Sequence, residues 1–293
     1  MLEYEGSIWR PPSEAQSLIL QATVGCSHNA CTYCVSYKGK HFRVRGVEGI
    51  KSDLAHLTAM QKRTVKRVFL ADGNALTIDT DEMLEILAVL KQEIPSLERV
   101  GVYGYAKDVR SKSIEEMRQI HSSGLGIAYF GLETGDDEIL RDVRKGVSSE
   151  ENVAACKKIR EAGIPVSVTI ILGLGGKGLS ERHAVHTARA LNEIDPEYVG
   201  ALTLMIPRGT PLFDMVQQGE FEPMEPFDTL RELRLLVENL ELSECVFRTN
   251  HASNYFPIGG TLSHDKEAML SVISRVVSSE DESTLRPGYL RGL

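Results

Sequence analysis

From about residue 18 almost to its end, the chain alternates short β-rich runs with amphipathic helical stretches, a pattern that few architectures satisfy. Residues 18–24, 67–71, 99–103, 127–132, 166–172, 198–205 and 245–249 read as strands. Strands separated by helices cannot pair as hairpins; they pair in parallel through crossover connections. The 166–172 run is apolar nearly throughout, as expected of a strand buried on both faces. Between strands, Met83, Ile86, Leu87 and Leu90 recur at i, i+3, i+4 and i+7, which gathers them on one helical face. Ser113 with Glu116, and Ser148 with Glu151, form capping boxes that predict helix starts, and Gly124 and Gly163 predict the matching stops. Further helices are predicted within 47–60 and over about 180–193, 227–240 and 265–277. At 293 residues the chain suits one α/β barrel, which typically takes about 250. The expected fold is a partial (β/α)6-type TIM-like barrel in a single domain over 1–293, with a core of about 17–242 and a C-terminal extension of about 243–293.

In parallel barrels the loops at the carboxyl ends of strands build the active site. The loop leaving the first strand reads Gly25-Cys-Ser-His-Asn-Ala-Cys-Thr-Tyr-Cys34, so three of the five cysteines, Cys26, Cys31 and Cys34, fall in a C-x4-C-x2-C spacing. An odd count with such crowding is not a disulfide framework and points to a metal or to catalysis. A [4Fe–4S] cluster on three thiolates keeps one iron open to an outside ligand. Zinc completed by His28, a closed electron-carrying cluster and inert buried thiols are the competing readings, so a non-enzymatic metal protein stays open at this point. Cys156 and Cys245 read as buried structural thiols. The net charge of −8 argues against bulk nucleic-acid binding. The N-terminal residues carry no basic-then-apolar signal pattern and no long apolar run follows, which predicts a cytoplasmic protein without membrane spans.

With Tyr33 directly before the third cysteine, the segment resembles the cluster motif of radical S-adenosylmethionine (radical SAM) enzymes. Their usual spacing is C-x3-C-x2-C, so the extra residue here marks a variant subgroup. The resemblance implies an open-site [4Fe–4S] cluster on Cys26, Cys31 and Cys34 whose free iron chelates S-adenosylmethionine. Reductive cleavage then yields a 5′-deoxyadenosyl radical that abstracts hydrogen from a substrate. It also implies that Asp72, Gly73 and Asn74 at the end of the second strand bind the methionine amino group through backbone oxygens. Glu133, in Gly-Leu-Glu-Thr-Gly, would accept from the ribose hydroxyls, and Lys145 would face the SAM carboxylate. Gly173 and Leu174 would pack against adenine. The stretch Pro207-Arg208-Gly-Thr-Pro-Leu212 resembles the PGTPL segment of the branch that includes methylthiotransferases and oxygen-independent coproporphyrinogen oxidases, and an activity of the latter kind is the competing enzymatic reading.

Two features lie outside those motifs. Asn250, His251 and Asn254 crowd the end of the last predicted strand, and with Arg208 they form the expected substrate-facing set. Lys38, Lys40, His41, Arg43 and Arg45 make a basic stretch beside the cysteine loop. It is either a solvated face, a site for an anionic substrate, or a dock for an acidic low-potential donor such as a flavodoxin or ferredoxin.

Overall fold

The first predicted strand is in fact two. In the computed structural model, which describes residue 2 and residues 4–292, β1 (Leu18–Gln21) ends at Ala22, and β2 (Thr23–Val24) pairs antiparallel with β3 (Arg43–Val44). The Thr23↔Val44 and Val24↔Arg43 pairs tie together the two ends of the cysteine-bearing loop.

Contacts divide the described chain into two compact units, one of residues up to 29, 36–130 and 155–166, the other of residues 30–35, 131–154 and 167 onward. In the first unit, β1 pairs in parallel with β4 (Arg67–Ala71), β4 with β5 (Arg99–Gly104), and β5 with β6 (Leu125–Glu133). The final residues of β6, from Gly131, belong to the second unit. Leu20, Val68, Leu70, Val100, Val102, Ala128 and Phe130 are fully buried, while Phe69, Ala71, Ile127 and Tyr129 form a cluster with Ile8, Ile19 and Tyr103. Burial on both faces explains why these strands read as apolar runs rather than alternating ones. Each such side chain contributes about 1.5–3 kcal/mol when fully removed from water. Helix Thr80–Glu93 buries Met83, Ile86, Leu87 and Leu90, the face its periodicity predicts.

In the second unit, β7 (Val166–Leu172), which enters it at Ser167, pairs in parallel with β8 (Tyr198–Thr203), and β8 with β9 (Val246–Arg248). β10 (Gly259–Thr261) returns antiparallel to β9. Its Gly-Gly-Thr sequence carries almost no strand propensity, so only the ladder to β9 defines it. Helices Gly176–Ile194 and Pro226–Glu238 pack together, and Lys266–Ser279 packs on the latter.

Local chemistry sets several boundaries. Both capping boxes form: Ser113 and Glu116 exchange side-chain-to-backbone bonds, as do Ser148 and Glu151. The predicted start at Ser180 is one turn late. The helix begins at Gly176, and the Ser180 hydroxyl donates to Glu232 at 2.6 Å instead of capping. A third capping box, Thr58 with Gln61, opens a short helix Ala59–Thr64, most of which lies beyond the single helix predicted within 47–60. No helix among the described residues is long and apolar enough to cross a membrane.

Candidate functional site

In the first unit, the chain on either side of Cys26 is held by the turn that follows β4. The Gly25 amide donates to Asp72 Oδ2 at 3.1 Å, and the Ser27 amide donates to Asn74 Oδ1 at 3.1 Å. Asn74 Nδ2 in turn donates to Ser27 Oγ at 2.7 Å and to Asp108 Oδ2 at 2.6 Å. Between these two clamps lies Gly73. A Cβ there would sit 2.3 Å from the Gly25 carbonyl oxygen and 2.6 Å from Cys26 Cα, so only glycine lets the two segments touch. Asp72 is fully buried and pairs with Lys40 Nζ at 2.5 Å, while its Oδ1 has no hydrogen-bond partner. Asp108 is also buried, which pushes its carboxyl up to about 6 despite the amide bond from Asn74. The Asp72-Gly73-Asn74 stretch thus uses its side chains, beyond any role of its backbone oxygens, to hold the Cys26 loop. The His28 ring stacks on Tyr105 with centroids 5.2 Å apart.

In the second unit, the segment carrying Cys31 and Cys34 is pinned at Thr32, whose amide donates to Val143 O at 3.0 Å and whose carbonyl accepts from Leu212 N at 3.1 Å. Tyr33 packs on Ile139, Val143, Ile171 and Leu174, with Leu179 and Leu204. Burial, reinforced by the Glu133 carboxylate and by the neighbouring Cys31 and Cys34, raises its hydroxyl well above the ordinary phenol range, and the hydroxyl donates to Glu133. Lys145 Nζ donates to Glu133 Oε1 at 2.7 Å, with both side chains about nine-tenths buried. A Cβ on Gly131 would lie 2.2 Å from that same oxygen, so glycine at this position makes room for the pair. Glu133 itself has φ +64, and the Thr134 amide donates back to Leu132 O at 2.9 Å. A non-glycine residue at the centre of so tight a turn is held in a costly conformation, of a kind that concentrates at functional sites.

The ends of β7, β8 and β9 carry the remaining candidates. Gly173 has φ +80, and its amide donates to Glu232 Oε1 at 2.6 Å. Leu174 is buried in the cluster that holds Tyr33. Arg208 is exposed in the turn before helix Pro211–Gln217. Asn250 is exposed, whereas Asn254 is 3 % exposed and is committed to β8, its Oδ1 accepting from Thr203 Oγ1 at 2.8 Å and its Nδ2 donating to Ala201 O at 2.9 Å. His251 Nδ1 accepts from the Ser253 amide at 3.1 Å and meets Ser253 Oγ at 2.9 Å. Because Nδ1 accepts from an amide it carries no proton, so the Ser253 hydroxyl, itself accepting from the Thr203 amide, points its proton to His251. Nδ1 is therefore an acceptor and the ring proton sits on Nε2. Burial, aided by the charge of Arg286, lowers the imidazole's pKa and favours this neutral form.

The basic stretch is largely spent inside its own unit. Lys40 pairs with Asp72, Arg43 with Glu5, and Arg45 with Asp53 through two bonds of 2.7 and 3.0 Å. Lys38 Nζ donates to Asn29 O at 2.9 Å.

Cys26 thus belongs to the first unit and Cys31 and Cys34 to the second, and among the described residues no group of three or more His, Cys, Asp or Glu is gathered closely enough to hold a metal ion. The donor chemistry nonetheless suits a thiolate-bound cluster. All three cysteines are half-buried, Cys26 lies against a glycine cradle, and Cys31 and Cys34 flank the half-buried Tyr33, which reaches the buried Glu133–Lys145 pair. Glu232 and His183, discussed below, escaped the sequence reading because no local spacing links them to the motifs they touch.

The Radical SAM superfamily pattern matches residues 20–191. A tRNA-2-methylthio-N(6)-dimethylallyladenosine synthase of Dictyoglomus thermophilum is 28% identical over 226 residues, covering 74% of this chain and 48% of that protein. A biotin synthase of Pelotomaculum thermopropionicum is 26% identical over 235 residues, covering 78% and 68%. Among solved structures, coproporphyrinogen III oxidase (HemN) from Escherichia coli, described as a radical SAM enzyme, superposes with a TM-score of 0.58 at 14% identity, covering 76% of this chain and 51% of that one. That likeness establishes a shared fold and bears out the expected α/β class. The chain spans 33% to 48% of the length of the first curated relatives it matches.

Proposed function

Because the chain belongs to the radical SAM superfamily, we propose that it is an enzyme whose Cys26, Cys31 and Cys34 hold a [4Fe–4S] cluster and whose strand ends bind S-adenosylmethionine. Such a cluster, with SAM on its open iron and an electron from a low-potential donor, supplies a 5′-deoxyadenosyl radical for hydrogen abstraction. The observation that carries the reading is the buried Glu133–Lys145 pair together with the half-buried Tyr33 that reaches it from between Cys31 and Cys34. A carboxylate offers about four lone-pair sites. Tyr33 and Lys145 occupy part of that capacity and fix the carboxylate's direction, and the rest is free to accept from a vicinal diol such as ribose. Lys145 also supplies positive charge where a SAM carboxylate would need it. Asp72 and Asn74 keep the Cys26 loop in place, and Gly173 and Leu174 offer a close backbone approach to a flat base.

His251 serves as a neutral donor through Nε2, oriented by Ser253, with the exposed Asn250 amide and Arg208 completing the polar groups that receive the substrate. Asn254 acts on them indirectly, by fixing the loop to β8. The substrate is an organic molecule bearing hydrogen-bond acceptors.

Anaerobic reconstitution with iron and sulfide, followed by SAM and dithionite, tests the activity. The expected product is 5′-deoxyadenosine, with deuterium transferred into it from a labelled substrate. Iron-loaded protein that yields no deoxyadenosine would refute the reading.

A further inference from the structure

Behind the Gly173 amide lie a buried carboxylate and, facing it, a buried imidazole, both in the second unit. Glu232 lies on helix Pro226–Glu238 and is 2 % exposed; His183 lies on helix Gly176–Ile194 and is fully buried. Glu232 Oε1 accepts from the Gly173 amide and Oε2 from the Ser180 hydroxyl, both at 2.6 Å. His183 Nδ1 meets Thr134 Oγ1 at 2.8 Å, and its Nε2 faces Glu232 Oε1 at 3.7 Å without a hydrogen-bond partner. Thr134 Oγ1 accepts from the Asp136 amide at 3.0 Å and from Thr187 Oγ1 at 3.5 Å, which fills both lone pairs, so its proton goes to Nδ1 and the imidazole proton sits on Nε2, toward the carboxylate. A second tie reinforces the first, since Thr187 Oγ1 accepts from the Gly135 amide at 3.0 Å and stands 3.4 Å from His183 Nδ1.

Two helices thus deliver a carboxylate and an imidazole, facing each other at 3.7 Å, to two separate turns. The carboxylate grips the left-handed turn at Gly173; the imidazole grips Thr134, next to the strained Glu133. No lysine or arginine neutralises Glu232 within ion-pair distance among the described residues. Burying a carboxylate so, on neutral donors alone, is costly, and apolar packing of equal volume would serve stability as well or better. What apolar packing cannot do is set the angle of a glycine amide and a threonine hydroxyl at once.

We propose that Glu232 and His183 are positioning residues that hold the Gly173–Leu174 turn and the Glu133–Thr134 turn in mutual register for S-adenosylmethionine. The inference rests on the reading that these turns bind SAM. A preset register spares the ligand the ordering cost of two loops, so it appears as affinity.

The test is equilibrium binding of SAM to the anaerobically reconstituted full chain, with iron content and urea midpoint measured alongside. Glu133→Ala serves as the reference. In Glu232→Leu, Gly173 loses its acceptor, and the dissociation constant should rise about tenfold with iron content unchanged. Glu232→Gln can still accept from Gly173 and donate to Ser180, so it should stay within about threefold of the parent and keeps the test valid if the leucine variant folds poorly. His183→Leu should weaken binding by a similar factor, and the double variant should be no worse than the stronger single one, because both disturb the same register. Weakened Glu133→Ala with parent-like affinity in Glu232→Leu and His183→Leu would overturn the positioning role alone. Parent-like affinity in Glu133→Ala would overturn the SAM reading and this inference with it. Losses that simply add, or that track the urea midpoint across all variants including Glu232→Gln, would make the pair structural and refute the proposal.

Discussion

Two buried lysine–carboxylate pairs stand beside the cysteines, and they are built for different work. In the first unit, Lys40 and Asp72 meet at 2.5 Å; in the second, Lys145 and Glu133 meet at 2.7 Å. Asp72 reaches main chain as well as side chains, its Oδ2 accepting the Gly25 amide next to Cys26 in addition to Lys40 Nζ and Gln21 Nε2. Glu133 spends its charge on the ends of two side chains, Tyr33 and Lys145. A carboxylate tied to an amide fixes the path of the backbone. One tied to rotatable side chains can trade contacts with a ligand while its own backbone stays fixed, here in the strained turn at φ +64. The same ion pair is therefore a fastener in one place and a receptor in the other.

The largest expected effect falls on the thiols themselves. Replacing Cys26, Cys31 or Cys34 by alanine should abolish SAM-responsive iron, since three thiolates leave no ligand to spare. Cys156 is buried and its thiol pushed well above the usual range, so it is no thiolate donor, and Cys156→Ala should keep a full iron complement. Iron analysis and the spectral change on adding SAM read both outcomes. A Cys31→Ala protein with a full cluster would sink the assignment.

A crossed pair of substitutions sharpens the comparison next. Asp72→Ala leaves Lys40, at 11% side-chain exposure, without its carboxylate and with the Ser7 carbonyl as acceptor, and removes the Gly25 clamp. Breaking a buried pair from one side typically costs about 3–5 kcal/mol, so urea unfolding should show a loss of that order. Glu133→Ala should instead weaken SAM binding by about 1.5–3 kcal/mol, the range for hydrogen bonds to a charged group, with iron retained. If Asp72→Ala left stability untouched while Glu133→Ala unfolded the protein, the division of labour would be reversed.

How much of this was legible beforehand follows the physics of each signal. Arg67–Ala71 was read to the residue because a strand buried on both faces leaves a nearly continuous apolar run, and Val166–Leu172 because its apolar residues, alternating with Ser167 and Thr169 at first, continue unbroken to its end. The capping boxes at Ser113 and Ser148 were legible because both partners lie within one turn of helix. The break at Ala22 was not, since β2 is defined by its pairing with β3 about twenty residues away. The cysteines, Glu133 and Lys145 stood out by type and order. What could not be seen was that Asp72 and Asn74 reach across to Gly25 and Ser27, that Asn254 turns inward to β8, and that three of the five basic residues near Lys40 already have carboxylate partners. Those are long-range pairings, and periodicity and local spacing carry no trace of them.

The smallest effect concerns the far end of the Cys26 clamp, and it has a definite sign. Asp108 accepts from the Asn74 amide, and burial raises its carboxyl from the ordinary value of 3.8 to about 6, with Lys112 nearby opposing the shift. An acid whose pKa is higher in the folded than in the unfolded chain holds its proton more tightly when folded. Its contribution to stability is therefore greatest at pH 4 and below, falls as pH rises from about 4 to about 6, and is flat beyond. The shift itself corresponds to about 3 kcal/mol, and local relaxation should leave on the order of 1–2 kcal/mol in a urea titration. Asp108→Asn keeps an acceptor for Asn74 but has no proton to lose, so it should match the parent near pH 4 and exceed it by that amount at pH 7.5. Glu133→Ala should leave this slope in place, because its carboxylate belongs to the receptor and not to the fastener. A parent protein whose stability rises between pH 4 and 6 in proportion to Asp108 ionisation, with the rise abolished by Asp108→Asn, would mean that the charged form is the one the clamp prefers, and burial would no longer be the dominant influence on that carboxyl.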